Sequence, residues 1–302
     1  SYARKRQNVI RVDQIREEKT AQYQSETISP NEMQKDALKG LQAIRDSGKK
    51  KALVISATGT GKTFLSAFDV QQFKPERMLF IVHREQILQK SLTDFQKVLQ
   101  FSDEEGLIYH SGADLTGKKY VFATIQTLSR EQHLGLFSRD YFDYILIDEV
   151  HKAGANSYKK VMAYFQPEFF LGMTATPERT DGQNIYELFD YNIAYEIRLQ
   201  NALDNDMLCP FIYFGVKDIE IEGQLINEKT TIANLTSEER VKHIIKKIDF
   251  YGVSGEKVKG LMFCSSKQEA HDLASKLNQK GKHCRALTGE DNMETRNESL
   301  PN

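Results

Sequence analysis

The residues best able to do chemistry form one continuous stretch, Ser56-Ala57-Thr58-Gly59-Thr60-Gly61-Lys62-Thr63. The apolar run Ala52-Leu53-Val54-Ile55 precedes it, and a helical pattern over residues 63–70 follows. Strand, glycine loop and helix together are the context that makes a P-loop credible. The glycines let backbone N–H groups turn toward phosphate oxygens, and the helix start adds partial positive charge. Lys62 is placed to reach the β- and γ-phosphates, and Thr63 to offer its hydroxyl to Mg²⁺. Thr58, Gly59, Thr60 and Gly61 complete the cradle. A second candidate is Asp148-Glu149, which ends the apolar run Tyr144-Ile145-Leu146-Ile147. At the carboxyl end of a parallel strand, Asp148 can hold Mg²⁺ through a water. Glu149 can orient and deprotonate an attacking water. A glycine turn containing GKT, or a surface Asp-Glu pair, means little alone. Found in this order, each after an apolar run, they point together to one phosphate-cleaving site.

The elements that must position these groups follow from the hydropathy pattern. Short apolar runs at 52–55, 78–82, 120–123, 144–147 and 169–173 read as strands buried on both faces of a parallel sheet. Helical stretches lie between them, such as 84–99, with Ile87, Leu88, Leu92, Phe95, Val98 and Leu99. Strand-helix alternation predicts a doubly wound α/β domain. A second unit is expected from about Asp204. Residues 211–216, 260–264 and 284–287 read as its strands, and 237–251 and 268–277 as its helices. On those helices Val241, Ile244, Ile245 and Ile248, and Ala270, Leu273, Ala274 and Leu277, recur at i, i+3, i+4 and i+7. Residues 220–232 read as a loop. Residues 1–26, with Arg4, Lys5, Arg6, Arg11, Arg16 and Lys19, read as a solvated arm or linker.

Further matches occur in a fixed order along the chain. The form ATGTGKT, with Ser56 where the general P-loop pattern starts with glycine, resembles the nucleotide motif of superfamily 2 helicases. Asp148-Glu149-Val150-His151 resembles their DExH box, and the resemblance implies that His151 links the ATP site to the next motif. Thr174-Ala175-Thr176-Pro177-Glu178-Arg179-Thr180-Asp181-Gly182 resembles motif III, whose hydroxyls, here Thr174 and Thr176, can bond the DExH box and sense the γ-phosphate. Ile81-Val82-His83-Arg84-Glu85-Gln86-Ile87-Leu88 resembles motif Ia, and Ala123-Thr124-Ile125-Gln126-Thr127-Leu128 resembles motif Ib. Phe263-Cys264-Ser265-Ser266 resembles motif IV. Arg84, Thr124, Thr127 and Ser265 are then candidate contacts to nucleic-acid phosphates, which carry no sequence information. Upstream, Ser29-Pro30-Asn31-Glu32-Met33-Gln34 resembles the motif in which a glutamine reads adenine; otherwise Gln34 is a surface residue on a capped helix start.

The resemblance covers residues 27–300 and implies two RecA-like domains, with ATP between them and nucleic acid across the top. The expected domains are a first RecA-like ATP-binding domain at 27–203, complete, and a partial second one at 204–302, truncated. The TATPERTDG and IVHREQIL segments resemble the bacterial DEAD/DEAH branch related to type III restriction subunits. That branch implies ATP-dependent helicase or translocase work on DNA rather than RNA, in repair, restriction or phage defence. Some of its members carry an upstream nuclease domain. An RNA helicase and an ATP-gated nucleic-acid clamp are the alternatives; the order of motifs argues against a P-loop kinase.

Composition adds exclusions. The formal net charge of -1 gives no global basic signal, so any nucleic-acid surface is local. Cys209, Cys264 and Cys284 stand far apart, which fits a reducing, cytoplasmic compartment rather than a disulfide framework. The seven histidines show no zinc-ligand spacing, and no run approaches a membrane span. ATP and Mg²⁺, pointed to by the P-loop and the Asp148-Glu149 pair, are the expected cofactors. No QxxGRxxR-like run, the form expected of the arginine-bearing motif VI, occurs.

Overall fold

The computed structural model describes residues 28–150, 156–177, 184–221, 224–225, 230–252, 258–292, 295–296 and 299. The arm at 1–26, His151 and the motif III residues 178–182 lie outside them. The chain divides into two compact units, one to Pro210 and one from Phe211.

The first unit is built on a seven-stranded sheet in which every pairing is parallel. Its strands are β1 (Lys51–Ser56), β2 (Met78–Val82), β3 (Gly106–Ile108), β4 (Tyr120–Thr124), β5 (Tyr144–Ile147), β6 (Phe169–Thr174) and β7 (Ile193–Ile197). They lie in the order β3-β4-β2-β5-β6-β1-β7. The helices are α1 (Glu32–Asp46), α2 (Lys62–Phe73), α3 (Glu85–Leu99), α4 (Ile125–Leu128), α5 (Glu131–Leu134), α6 (Asn156–Tyr164), α7 (Ile185–Leu188) and α8 (Leu199–Asp204). This is the doubly wound sheet expected of a RecA-like domain.

Strand side chains alternate between two cores. Val54, Phe80, Phe122, Leu146 and Leu171 face one core with residues of α1, α2 and α3. Leu53, Ile55, Leu79, Ile81, Ile145 and Ile147 face the other with residues of α4 and α6. Both faces are covered, which is why these strands read as continuous apolar runs. Two close approaches fix the layers. A Cβ on Gly40 would meet the Ala194 carbonyl oxygen at 2.0 Å, so α1 lies directly on β7. A Cβ on Gly172 would meet the Phe189 ring at 2.3 Å. A buried ion pair ties three elements together. Arg45 of α1 donates twice to Asp69 of α2, at 2.8 and 3.0 Å, and the Tyr144 hydroxyl of β5 donates to the same carboxylate at 2.6 Å.

In the second unit, α9 (Ile232–Leu235) precedes α10 (Glu238–Tyr251) and α11 (Lys267–Gln279). Ser237 and Ser266 cap the two longer helices. Val241, Leu273 and Leu277 form their small shared core, with Ile244, Ile245, Cys264 and Cys284 against it. Two expectations need correction here. Residues 211–216, 260–264 and 284–287 are not strands: they make no sheet pairing, and Tyr213 and Phe263 are 84% and 91% exposed. Apolar β-formers alone do not make a strand; each backbone N–H and C=O needs a neighbour to bond. The stretch expected as a loop carries a short antiparallel pair, β8 (Glu220–Ile221) with β9 (Gln224–Leu225). No helix among the described residues is long and apolar enough to cross a membrane.

Candidate nucleotide site

Three adjacent strands, β5, β6 and β1, end on the same side of the sheet. The Asp-Glu pair follows β5, the P-loop follows β1, and Thr174 ends β6 between them. Parallel strands deliver their carboxyl ends to one edge, where ligands of open α/β sheets bind.

The loop is shaped by two left-handed glycines, Gly59 at φ +90° and Gly61 at φ +84°. Gly61 is the N-cap of α2, so the first N–H groups of that helix open toward the loop. Ser56 and Thr60 brace the turn from inside: their hydroxyls lie 2.6 Å apart, and Thr60 donates to the Ala57 carbonyl at 2.8 Å. The Thr60 side chain is thus turned into the protein, leaving its backbone as its contribution to a phosphate. Thr58 and Gly59 are exposed, and Thr63 is half-buried. The Lys62 ammonium donates to the carbonyls of Ser56 and Ala57, at 2.9 and 3.1 Å. Burial pulls its pKa down, while the charges of Asp148 and Glu149 push it back up.

Asp148 is buried, and burial raises its pKa against the opposing effects of the Glu149 N–H and the Lys62 charge. The Glu149 N–H donates to Asp148 Oδ1 at 2.8 Å. Glu149 sits at φ +51°, an uncommon conformation for a residue with a side chain. The backbone therefore turns sharply where strand β5 gives way to its two acids. Backbone of this kind clusters at functional sites. The donors suited to Mg²⁺ here are the Thr63 hydroxyl and the Asp148 carboxylate. Hard oxygens, too few for an all-protein cage, suit an ion that takes its other ligands from water and phosphate. Thr174 is buried and accepts from the Thr176 N–H at 3.2 Å; Thr176 is exposed.

Gln34 is not on the surface. It is 5% exposed and joins α1 to the P-loop. Its Oε1 accepts from the Asn31 N–H at 3.0 Å in a capping box, and its Nε2 donates to the Gly61 carbonyl at 3.1 Å. Three contributions were not legible in the sequence, including the bracing role of Ser56. Ser56 serves as a brace, Leu208 lies within 3.1 Å of where a Cβ on Gly59 would stand, and Tyr158 is buried within the electrostatic reach of Glu149 and Asp148. Only the fold brings Leu208 to the loop.

The nucleic-acid candidates divide between the units. Val82 of β2 pairs with Thr124 of β4, which sets Arg84 and Thr124 at neighbouring strand ends. Arg84 is exposed, and Thr124 caps α4 with its hydroxyl 3.0 Å from that of Thr127. His83 and Gln126, 3.0 Å apart, bridge the same two ends. Ser265, in the second unit, gives both its N–H and its hydroxyl to Glu269, at 2.7 and 2.8 Å.

A family described as "Type III restriction enzyme, res subunit" matches residues 27–179. The chain is 25% identical over 213 residues to "Putative ATP-dependent helicase IRC3" of Saccharomyces cerevisiae, covering 66% of the chain and 30% of that protein. It is 23% identical over 281 residues to "Type I restriction enzyme EcoAI endonuclease subunit" of Escherichia coli, covering 82% and 34%. It is 27% identical over 190 residues to "Putative ATP-dependent RNA helicase L396" of Acanthamoeba polyphaga mimivirus, covering 60% and 34%. The chain thus spans about a third of the length of these relatives.

Proposed function

The chain belongs to the family of type III restriction enzyme res subunits, among the ATP-hydrolysing DExH helicases of superfamily 2, and on that premise we propose that it is the ATPase part of a motor that moves along duplex DNA. What carries the reading is the adjacency of β5, β6 and β1, which sets Asp148-Glu149, Thr174 and Lys62-Thr63 at one sheet edge. Triphosphate oxygens would take Lys62 from the two loop carbonyls that now hold it. Thr63 and Asp148 would hold Mg²⁺, which when bound offsets charge on the β- and γ-phosphates. Glu149 would accept the proton of the attacking water. Gln34, already fixed against Gly61, would face adenine, and Thr174 would report the γ-phosphate to the rest of the domain. An upstream nuclease domain or a nuclease partner subunit fits this reading.

The restriction-subunit family, together with the restriction endonuclease relative, supports DNA as the track; the mimivirus relative's name favours RNA. Arg84, Thr124 and Thr127 lie where strand ends can meet phosphates without reading bases. The test is ATP turnover of the intact protein with duplex DNA and with RNA, followed by displacement of a third strand from a DNA triplex. Stimulation by duplex DNA with ATP-dependent displacement is expected. Stimulation by RNA alone would transfer the chain to the RNA helicases. DNA stimulation without displacement would make it a clamp.

A further inference from the structure

Tyr158 lies on α6, the helix that follows the Asp-Glu pair, and packs with Val161, Ile145, Ile147 and Val150 in one core. It is 1% exposed, and among the described residues its hydroxyl has no hydrogen-bond partner. A buried hydroxyl without a partner has lost its water and received nothing in return. Such a group in a native protein calls for an explanation, and strain kept at a functional site is one. Burial above all, then the negative charges of Glu149 and Asp148, hold this phenol protonated. It can therefore act as a donor, and both acids lie close enough for their charges to act on it. Asp148 already receives the Glu149 N–H.

We infer that Tyr158 is a positioning residue for the reaction: when nucleotide is bound, its buried, unpartnered hydroxyl donates to the Glu149 carboxylate and fixes that base toward the attacking water. The inference rests on the reading of Glu149 as the base. In the nucleotide-free protein the hydroxyl is a liability, and a ring without it would sit in the same space. During turnover the hydroxyl holds the carboxylate of a residue whose backbone sits in the left-handed region, at φ +51°.

The test is Tyr158→Phe in the intact protein, with Glu149→Gln and the double variant beside it. The expected result is a fall in kcat for ATP of about 10-fold, the worth of one hydrogen bond to a charged group. KM for ATP should be unchanged, and Tm of the nucleotide-free protein unchanged or raised. A structural role would lower Tm instead. Added to Glu149→Gln, the substitution should cost nothing further, since groups acting as a unit are not additive. An unchanged kcat, a loss of kcat that tracks a loss of Tm, or a full additive loss in the double variant would each overturn the assignment. Normal turnover in Glu149→Gln would overturn the base reading itself and this inference with it. An inactive Glu149→Gln beside a normal Tyr158→Phe would remove Tyr158 alone.

Discussion

In the first unit the apolar runs Met78–Val82 and Tyr144–Ile147 are strands buried at every position. In the second, residues 211–216 and 260–264 have a similar apolar content but are irregular, unpaired and largely exposed. The difference lies in their neighbours. Each central strand of the first unit is bonded on both sides and covered on both faces. In the second unit, two helices share a core of three buried residues. A parallel strand is stabilised by contacts distant in sequence, so its own composition cannot secure it. The candidate site residues follow the same division. Lys62, Thr63, Asp148, Glu149 and Thr174 stand on or just past the ends of fully paired strands, which hold them to a fixed geometry. Ser265 stands between an exposed segment and a helix, and its polar groups are engaged by Glu269.

Removing one polar group from each unit should have very different consequences. Glu149→Gln keeps the shape of the site and removes the carboxylate proposed as the base. Turnover should fall on the order of 10²–10⁴-fold while nucleotide affinity stays near wild type. Ser265→Ala should leave turnover nearly unchanged, because the hydroxyl it removes bonds only within its own unit among the described contacts. Parallel measurements of ATP binding and hydrolysis check both. Near-normal hydrolysis in Glu149→Gln would take the chemistry away from the end of β5.

Next in size is the buried ion pair. Asp69→Ala leaves the buried Tyr144 hydroxyl without its acceptor and removes the carboxylate from the largely buried Arg45 guanidinium, which keeps its bond to Gln42 Oε1. Breaking a buried pair from one side costs about 3–5 kcal/mol. Denaturant melts of the variant should show this loss in the first unit. Amide exchange in α10 and α11 should stay as in wild type. Equal loosening there would mean that the two units do not open independently.

Much of the first unit is legible in the sequence because its signals are dense and mutually consistent. β1, β2, β4, β5 and β6 are each buried on both faces and therefore read as unbroken apolar runs. β3 is only three residues long and half-buried, and β7 is an edge strand that mixes Tyr195 and Glu196 with apolar residues; neither announces itself. The P-loop and the Asp-Glu pair are contiguous motifs, so their placement needed little of the fold. Tyr158 is the opposite case. In the sequence it is one apolar-face residue of an amphipathic helix, and only its unpartnered hydroxyl in the packed core sets it apart. Gln34 lies between these cases, since a capping pattern explains its spacing but not its contact with Gly61.

Gln34→Ala measures that contact. It removes the bond to the Gly61 carbonyl and the reciprocal bond of the capping box. A single hydrogen bond is worth about 0.5–1.5 kcal/mol, so the preference for ATP over GTP should relax by up to roughly 10-fold. Competitive titration of both nucleotides reads this directly. Selectivity unchanged from wild type would leave Gln34 as a brace for the loop alone.

The smallest effect expected belongs to the second unit. Burial pushes the Glu269 carboxyl up, but hydrogen bonds from Ser265 and Arg240 outweigh it and leave its pKa below the ordinary value. A carboxylate whose folded pKa is depressed stabilises the folded state above its unfolded value, about 4.3 for glutamate, and loses that contribution as pH falls through the folded value. Arg240 also bonds Asp218 and the Leu235 carbonyl, so Glu269 is the link that carries this network from α10 to α11. Glu269→Gln keeps the shape and an acceptor for Ser265 and removes the charge. The cost at neutral pH should be roughly 1 kcal/mol or less. Amide exchange in α11, compared between wild type and variant at each pH, should differ at neutral pH. The difference should close as pH drops below the ordinary carboxylate range, because protonated Glu269 then resembles the amide. Exchange in β5 and β6 should show no such difference at any pH. A gap that persists undiminished into acid could not come from the charge, which protonation removes from the wild type too, and the ion pair of Arg240 with Glu269 would then not be what joins α11 to α10.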